Sequence, residues 1–123
     1  MKRSEFREKV VMLLYVHAMG GDFDMDQYEE TILRRYQEIL ENLEKIDKVI
    51  GDNLVGYTID RLNYVDLAIV ENAVYEMFFT DTPIEIIINE AVNLTKKYSN
   101  LDDDAAKRFN NRLLDNIKTK MGK

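Results

Sequence analysis

The most apolar part of the chain is residues 64–98, which read YVDLAIVENAVYEMFFTDTPIEIIINEAVNLTKKY. Between Val65 and Phe79 only a few polar side chains interrupt the apolar ones, so a helix here would be apolar on almost every face. A helix of this kind is stable when other elements of the domain surround it. We therefore predict a central helix that is capped by Asn63 and carries Asp66 in its first turn.

A second helix is predicted directly after the central one. Thr82-Pro83-Ile84-Glu85 has the order of a capping box, with a capping hydroxyl, a proline at the first helical position and a glutamate three residues past the cap. Apolar positions then recur at helical spacing, which outweighs the β-propensity of the isoleucine triplet at 86–88. The predicted inward face consists of Ile84, Ile87, Ile88, Ala91, Thr95 and Tyr98.

The first and last helices are predicted from their ends and their apolar stripes. Ser4 would cap the first helix, and Gly20-Gly21 would end it because glycine tolerates a left-handed backbone. The last helix would follow Asn100, with the carboxylates of residues 102–104 (Asp102, Asp103 and Asp104) favouring its start; they lack the ligand spacing of a calcium loop. The predicted inward residues are Phe6, Val10, Leu13, Leu14 and His17 in the first helix, and Ala105, Ala106, Phe109, Leu113, Leu114 and Ile117 in the last.

Between these segments the helical spacing of apolar residues continues for many turns. Asp24 resembles a cap, and we predict one long helix from there to about Leu54. Gly51 lies inside this pattern and would mark a bend or an early end near Asn53.

Composition supports a single all-α domain over residues 1–123, a compact bundle of about six helices. One proline and five glycines in 123 residues favour helices over a sheet architecture. The absence of cysteine excludes thiol catalysis and thiolate metal sites. A net charge of −6 repels polyanions, so a nucleic-acid surface would have to be a local basic patch. Lacking a membrane-length apolar segment or a signal peptide, the chain is expected to be cytoplasmic.

The residues predict a binding module, without a catalytic site, metal or cofactor. His17 is the only histidine, and we expect it to be a partly buried core residue. A phosphate loop, a nucleophile elbow and an HExxH motif are all missing from the sequence. Two interpretations remain open for the basic residues, a solvated helix face or an RNA surface, and Tyr15 could either fill the core or stack on a base. The basic candidates are Lys2, Arg3, Arg7 and Lys9 near the N-terminus, and Lys107 and Arg108 in the last helix.

Several motifs resemble the NusB family of bacterial transcription antitermination factors, and together they cover about two-thirds of the chain. The most specific motif is INEAVNLTKKY at 88–98, preceded by Pro83-Ile84, which is similar to the family's IPxxVxINEAxELAKxF. The other matches are IDRL at 59–62, VDLAI at 65–69, AVYEM at 73–77, FNNRLLD at 109–115, and an N-terminal RxxxR pattern at Arg3 and Arg7 that precedes Leu14-Tyr15.

The chain also departs from the family pattern. The family usually has arginine where this chain has Leu67 and Glu71, and glycine where it has Arg112. The segment 20–30 is shorter than in the family, and 99–106 is longer. We expect these changes to leave the core intact and to alter the surface.

The resemblance implies an all-helical fold of two small sub-bundles and a role without catalysis. It implies binding to the boxA element of ribosomal RNA transcripts together with NusE, the ribosomal protein that also acts in the transcription elongation complex. Carried over to this sequence, the RNA-binding positions are Lys2, Arg3, Arg7 and Tyr15, and the position facing NusE is Asp66, whose side chain we expect to reach outward. Some family members are thought to dimerise and cover their basic face, so a homodimer is a further expectation.

Two functional interpretations follow from the sequence. The first is a working antitermination factor. The second is a diverged NusB-like module that binds protein, or serves in ribosomal RNA processing, without boxA specificity. The first is the predicted function, and the second is the alternative, to which the missing arginines and the net negative charge give more weight than composition alone would.

Overall fold

The computed structural model describes residues 1–56, 58–99 and 104–122. Within these ranges the chain forms six α-helices and two short 3₁₀ turns, and no strand. The predicted all-helical bundle of about six helices is confirmed. The helices are α1 (Arg3–Ala18), α2 (Glu30–Glu41), α3 (Leu43–Asp52), α4 (Tyr64–Phe79), α5 (Ile84–Tyr98) and α6 (Ala105–Lys120); the 3₁₀ turns are Met25–Gln27 and Ile59–Arg61.

Helix α4 is the centre of the bundle, as its apolar sequence predicts. It contacts all five other helices, and it is buried without interruption from Ala68 to Met77. Its start is also as predicted, because Asn63 Oδ1 accepts a hydrogen bond of 2.7 Å from the Asp66 backbone N–H. Around α4, α1 packs with α2 and α5 packs with α6, while α3 contacts both α4 and α6.

The core is made mainly of branched aliphatic side chains from every helix. Full burial of one such side chain contributes about 1.5–3 kcal/mol relative to exposure, so the set dominates the stability of the fold. The largest fully buried side chains are Val10, Leu13, Leu14, Ile32, Ile39, Ile46, Ile50, Ile69, Val70, Ile87, Leu114 and Ile117.

The predicted long helix from Asp24 is wrong in two respects, because it begins only at Glu30 and because it is two helices. The chain leaves helical geometry at Asn42, whose φ and ψ are −109° and 9°. The Asn42 side chain donates a 2.8 Å hydrogen bond to the Glu38 carbonyl, which satisfies a backbone acceptor at the end of α2. The expected early end is confirmed, since α3 stops at Asp52 with Asn53 as its C-cap.

Predicted helix starts at Ser4 and Thr82 are corrected by the structure. Helix α1 begins at Arg3, and the Ser4 hydroxyl instead donates to Glu90 Oε1 at 2.7 Å. Helix α5 begins at Ile84, so Pro83 takes the N-cap position and Thr82 lies before it, without a capping bond. A shift of one residue along the chain removes the reciprocal geometry that a capping box needs.

The predicted caps of the other helices have mixed outcomes. Gly20 has a φ of +74°, as a glycine helix stop requires. Asp24 caps the first 3₁₀ turn by accepting from the Asp26 N–H at 3.0 Å. Asp104 is the N-cap of α6 with a left-handed φ of 63°, and its carboxylate lies 3.8 Å from Lys107 Nζ in place of a capping bond. Asp102 and Asp103 lie outside the described residues.

Three residues expected to face inward are exposed, namely His17, Tyr98 and Ala105. The His17 ring lies against the Tyr36 ring in a T-shaped arrangement, with centroids 6.3 Å apart. Each of these residues lies within the first or last two residues of its helix, where the apolar stripe continues in sequence but the neighbouring helices no longer cover it.

Candidate nucleic-acid interface

The predicted basic cluster on α1 divides into exposed and buried members. Lys2, Arg3 and Lys9 are exposed, so their charges face solvent. Arg7 is buried, with a side chain only 6% exposed. The expectation that all four cations form one open surface is therefore wrong at Arg7.

Arg7 is held by a buried carboxylate of the central helix. Its Nε lies 2.8 Å from Glu76 Oε2, and its Nη2 lies 2.8 Å from Glu76 Oε1. Asn72 Nδ2 donates to the same carboxylate at 3.2 Å, and Glu90 Oε1 lies 3.5 Å from Arg7 Nη1. The hydrogen bond to Glu76 raises the pKa of Arg7 against the opposing effect of burial. This network compensates the charge of Arg7 and fixes α1 against α4.

A cavity of about 240 Å³ opens between α1, α2 and the C-terminal end of α4. Of the exposed cations of α1, Arg3 lines this cavity. Arg7 lines it too, but it is paired with Glu76. The residues that line the cavity are Arg3, Phe6, Arg7, Arg35, Glu76, Thr80 and Thr82.

Arg35 is a basic residue of this site that the sequence did not single out. Its guanidinium carbon lies 5.4 Å from the Phe6 ring centroid and 5.1 Å from the Tyr75 ring centroid. A cation between two ring faces is attracted by both π-systems. The pair Arg34-Arg35 was a visible signal on α2, but the rings come from α1 and α4, far away in sequence.

Aromatic side chains continue from this cavity along the end of α4. The Phe79 ring stacks on Tyr75 with centroids 5.1 Å apart and is 48% exposed. The Tyr75 hydroxyl donates to Glu38, and burial together with this carboxylate raises the pKa of Tyr75 to about 12. Tyr75 is therefore a neutral hydrogen-bond donor, and exposed aromatic area lies beside the arginines.

The remaining predicted RNA-binding residues do not line this cavity. Tyr15 is half-buried and packs against the core, so its ring is neither fully enclosed nor free. Lys107 is half-buried and Arg108 is exposed on α6. Helix α5 links α6 to α1, because Asn110 of α6 donates to Thr95 and Lys97 Nζ lies 2.6 Å from Glu8 Oε1 of α1.

Asp66 does not reach outward as expected. It is 7% exposed, and its Oδ1 accepts a hydrogen bond of 3.1 Å from Asn110 Nδ2. The same amide donates to Thr95 Oγ1 at 3.0 Å, so these three residues connect the start of α4 with α5 and α6. Asp66 orders this corner of the bundle and offers little surface of its own.

We expected the departures from the family pattern to alter only the surface, and this expectation is wrong at Glu71. Its side chain is 4% exposed and faces Asp47 of α3. Burial, reinforced by the Asp47 carboxylate, raises the pKa of Glu71 far above its ordinary value. Leu67 is half-buried against the core. The replacement at Glu71 therefore changes an internal helix contact.

The described residues give no sign of a metal site or a membrane span. They contain no group of three or more metal-ligating side chains. None of the described helices combines the length and the apolar character that crossing a bilayer requires.

Comparison with known proteins shows where this architecture belongs. The sequence profile of the NusB family matches residues 15–119. The transcription antitermination protein NusB of Bacillus licheniformis is 36% identical, over 97% of this chain and 98% of that protein. The solved structure of T. maritima NusB matches with a TM-score of 0.83 and 30% identity, covering 98% of this chain and 92% of that one. The chain belongs to the NusB family, which confirms the resemblance found in its motifs.

A further solved structure contains the antitermination factors NusB and NusE in complex with double-stranded RNA. It matches with a TM-score of 0.76 and 23% identity, covering 96% of each chain. At this identity the match shows the shared fold.

Proposed function

We propose that this chain is a transcription antitermination factor that binds boxA-type RNA of ribosomal RNA transcripts together with the ribosomal protein NusE. Two findings support the proposal. The relative from Bacillus licheniformis is named a transcription antitermination protein, and a NusB with this fold has been solved with NusE and RNA. The role is non-catalytic, requires no cofactor, and belongs in the cytoplasm, where nascent transcripts and ribosomal proteins meet.

The observation that carries the proposal is the exposed basic and aromatic surface at the start of α1 and the end of α4. In a chain of net charge −6, Arg3 and Arg35 line one cavity, and Lys2 directly precedes Arg3 in the sequence. The exposed ring of Phe79 stacks on Tyr75, whose ring contacts Arg35. Cations that meet phosphates, next to rings that stack on bases, are the usual components of single-stranded nucleic-acid sites. Lys9, Tyr15, Lys107 and Arg108 would extend this surface, while Arg7 supports it from within.

On the protein side, we propose that NusE docks near the corner formed by the starts of α4 and α6. Asp66 stabilises that corner through Asn110, so its role is to shape the docking surface. A basic partner would also offset the negative charge of this chain and strengthen RNA binding.

Burial of Glu71 weakens one of the reasons for treating the chain as a diverged NusB-like module, namely the absence of arginine at this position. A carboxyl group that faces Asp47 inside the bundle takes no part in an exposed surface. The basic surface at α1 and α2 is on other helices.

A gel-shift assay tests the proposal. The protein is titrated into a boxA RNA oligonucleotide with and without NusE, and a scrambled RNA of equal length is the control. We expect weak binding by the chain alone, tighter binding with NusE, and a preference for boxA over the scrambled sequence. Equal affinity for the two RNAs in the presence of NusE would instead support the module without boxA specificity.

A further inference from the structure

We infer that the cavity between α1, α2 and the end of α4 is an anion site that holds one phosphate group of bound RNA, with Arg35 as its principal contact. The source of that phosphate rests on the proposed function. The cavity and its preference for an anion rest on the geometry of this chain alone.

The position of Arg35 suits it to bind a ligand without rearrangement. Phe6 and Tyr75 flank its guanidinium at 5.4 and 5.1 Å from their centroids, which restricts the plane of the group. A guanidinium contacts rings through its faces and donates hydrogen bonds through its edge, so the two roles are compatible. Arg35 is also half-buried, so its charge is less screened than that of a fully exposed arginine.

The residues that line the cavity carry an excess of positive charge, with three arginines against the single carboxylate of Glu76. Glu76 is the acidic residue of the lining, and it is already engaged by Arg7 and Asn72. Glu38, which accepts from the Tyr75 hydroxyl, lines the neighbouring cavity, and Glu90 lies beside Arg7; neither lines this one. Arg3 and Arg35 therefore contribute charge that the buried carboxylate of this site does not neutralise.

The threonines that follow α4 add hydroxyl groups to the lining of the cavity. The Thr80 hydroxyl donates to the Glu76 carbonyl at 2.8 Å, and Thr82 Oγ1 lies 3.2 Å from Thr80 Oγ1. Because a hydroxyl carries one hydrogen, the Thr82 hydroxyl is the one that can donate to a ligand oxygen. This gives Thr82 a role in binding in place of the capping role predicted from its sequence.

The size of the cavity indicates a single group as its occupant. At about 240 Å³ it is smaller than the pockets of about 300–1,000 Å³ that enclose drug-sized ligands. A phosphate is compact and bears the charge that arginine forks bind in bidentate fashion.

Arg34 provides a matched control for Arg35. It is adjacent on α2, its side chain is 62% exposed, and it pairs with Glu30 at 3.1 Å on the helix surface. Arg34→Gln and Arg35→Gln therefore remove the same charge from the same helix, and only the second removes a cation from the cavity.

The first measurement is a salt titration of RNA binding in the presence of NusE. One phosphate contact to a single strand contributes about 0.7 to the slope of log affinity against log salt. We expect Arg35→Gln to flatten the slope by about this amount and Arg34→Gln to leave it near the wild-type value. Equal slopes in the two variants would overturn the inference. Thermal unfolding of each variant separates a loss of binding from a loss of fold.

The second measurement uses inorganic phosphate and no RNA. In protein with isotope-labelled arginine, the Nε–Hε signals are assigned with the two variants and followed by NMR during the titration. We expect the Arg35 signal to shift to saturation and the Arg34 signal to remain nearly unchanged. Parallel, unsaturated shifts of both signals would overturn the anion site. If phosphate saturates Arg35 while boxA RNA fails to bind with NusE, the anion site stands and the proposed function fails.

Discussion

At the scale of single residues, buried charge is handled in two opposite ways. Arg7 and Glu76 neutralise each other across α1 and α4 with hydrogen bonds of 2.8 Å. Glu71 and Asp47 are both acidic, so one of them must hold a proton for the α3–α4 contact to be stable. The protonated Glu71 carboxyl can donate to Asp47, which explains how a pair of like groups is accommodated.

This arrangement predicts that Glu71→Gln stabilises the protein as the pH rises. The pKa of Glu71 is raised in the folded state, so its stabilising contribution is complete below the ordinary carboxyl pKa and is lost as the pH increases above it. The glutamine amide keeps a donor for Asp47 and does not titrate. We expect the variant to gain about 1 kcal/mol or more in unfolding free energy at pH 8 relative to pH 5.

Urea denaturation at the two pH values measures this difference. Glu44→Gln on the exposed surface of α3 is the matched control, and it should show a much smaller pH-dependent change. A gain for Glu71→Gln that is the same at both pH values would show that the carboxyl is ionised throughout.

At the scale of helices, the two capping motifs of the sequence should differ in energy. Asn63 accepts a hydrogen bond from the Asp66 N–H, whereas Thr82 makes no capping bond to α5. We expect Asn63→Ala to lower the unfolding free energy by about 0.5–2 kcal/mol and Thr82→Ala to lower it by less than about 0.5 kcal/mol. Equal losses in chemical denaturation would mean that Thr82 caps α5 in solution.

Apolar spacing located the helices well, but it could not locate every end. Apolar residues continue at helical spacing from Ile39 through Leu43 to Ile46, so nothing in the pattern showed the break at Asn42. That break depends on how α2 and α3 both reach α4, which is a tertiary constraint. Likewise, the stripe of α5 includes Tyr98, although the neighbouring helices leave it 38% exposed.

The candidate site was less predictable than the fold for a physical reason. Charge alone selected Lys2 and Arg3 correctly as exposed cations, but it also selected Arg7, whose partner Glu76 is 69 positions away. Arg35 became visible only when folding placed it between the rings of Phe6 and Tyr75. Because the site is assembled from three separate helices, only the packing of those helices shows which residues belong to it.

At the scale of the whole molecule, RNA binding should depend on a local patch in spite of the net charge of −6. We expect the double variant Lys2→Ala with Arg3→Ala to flatten the salt slope of boxA binding with NusE by about 1.4, at about 0.7 for each phosphate contact. Arg7 is left unchanged because its removal would strand the buried Glu76 carboxylate.

Lys45→Ala with Lys48→Ala on α3 is the control, because it removes the same charge from an exposed part of another helix. If net charge alone governed binding, both double variants would flatten the salt slope equally. That result would remove the reason to place RNA at the start of α1.

Because α1 is attached to two other helices, its start is ordered before RNA binds. Arg7 fixes this helix to α4, and Glu8 fixes it to α5 through Lys97. The first turns of α1 are therefore in place before any RNA arrives, and capture of a transcript involves little ordering of the protein chain. Nascent RNA begins to fold on itself as soon as it emerges, and a surface that is ready at first encounter competes well with that folding.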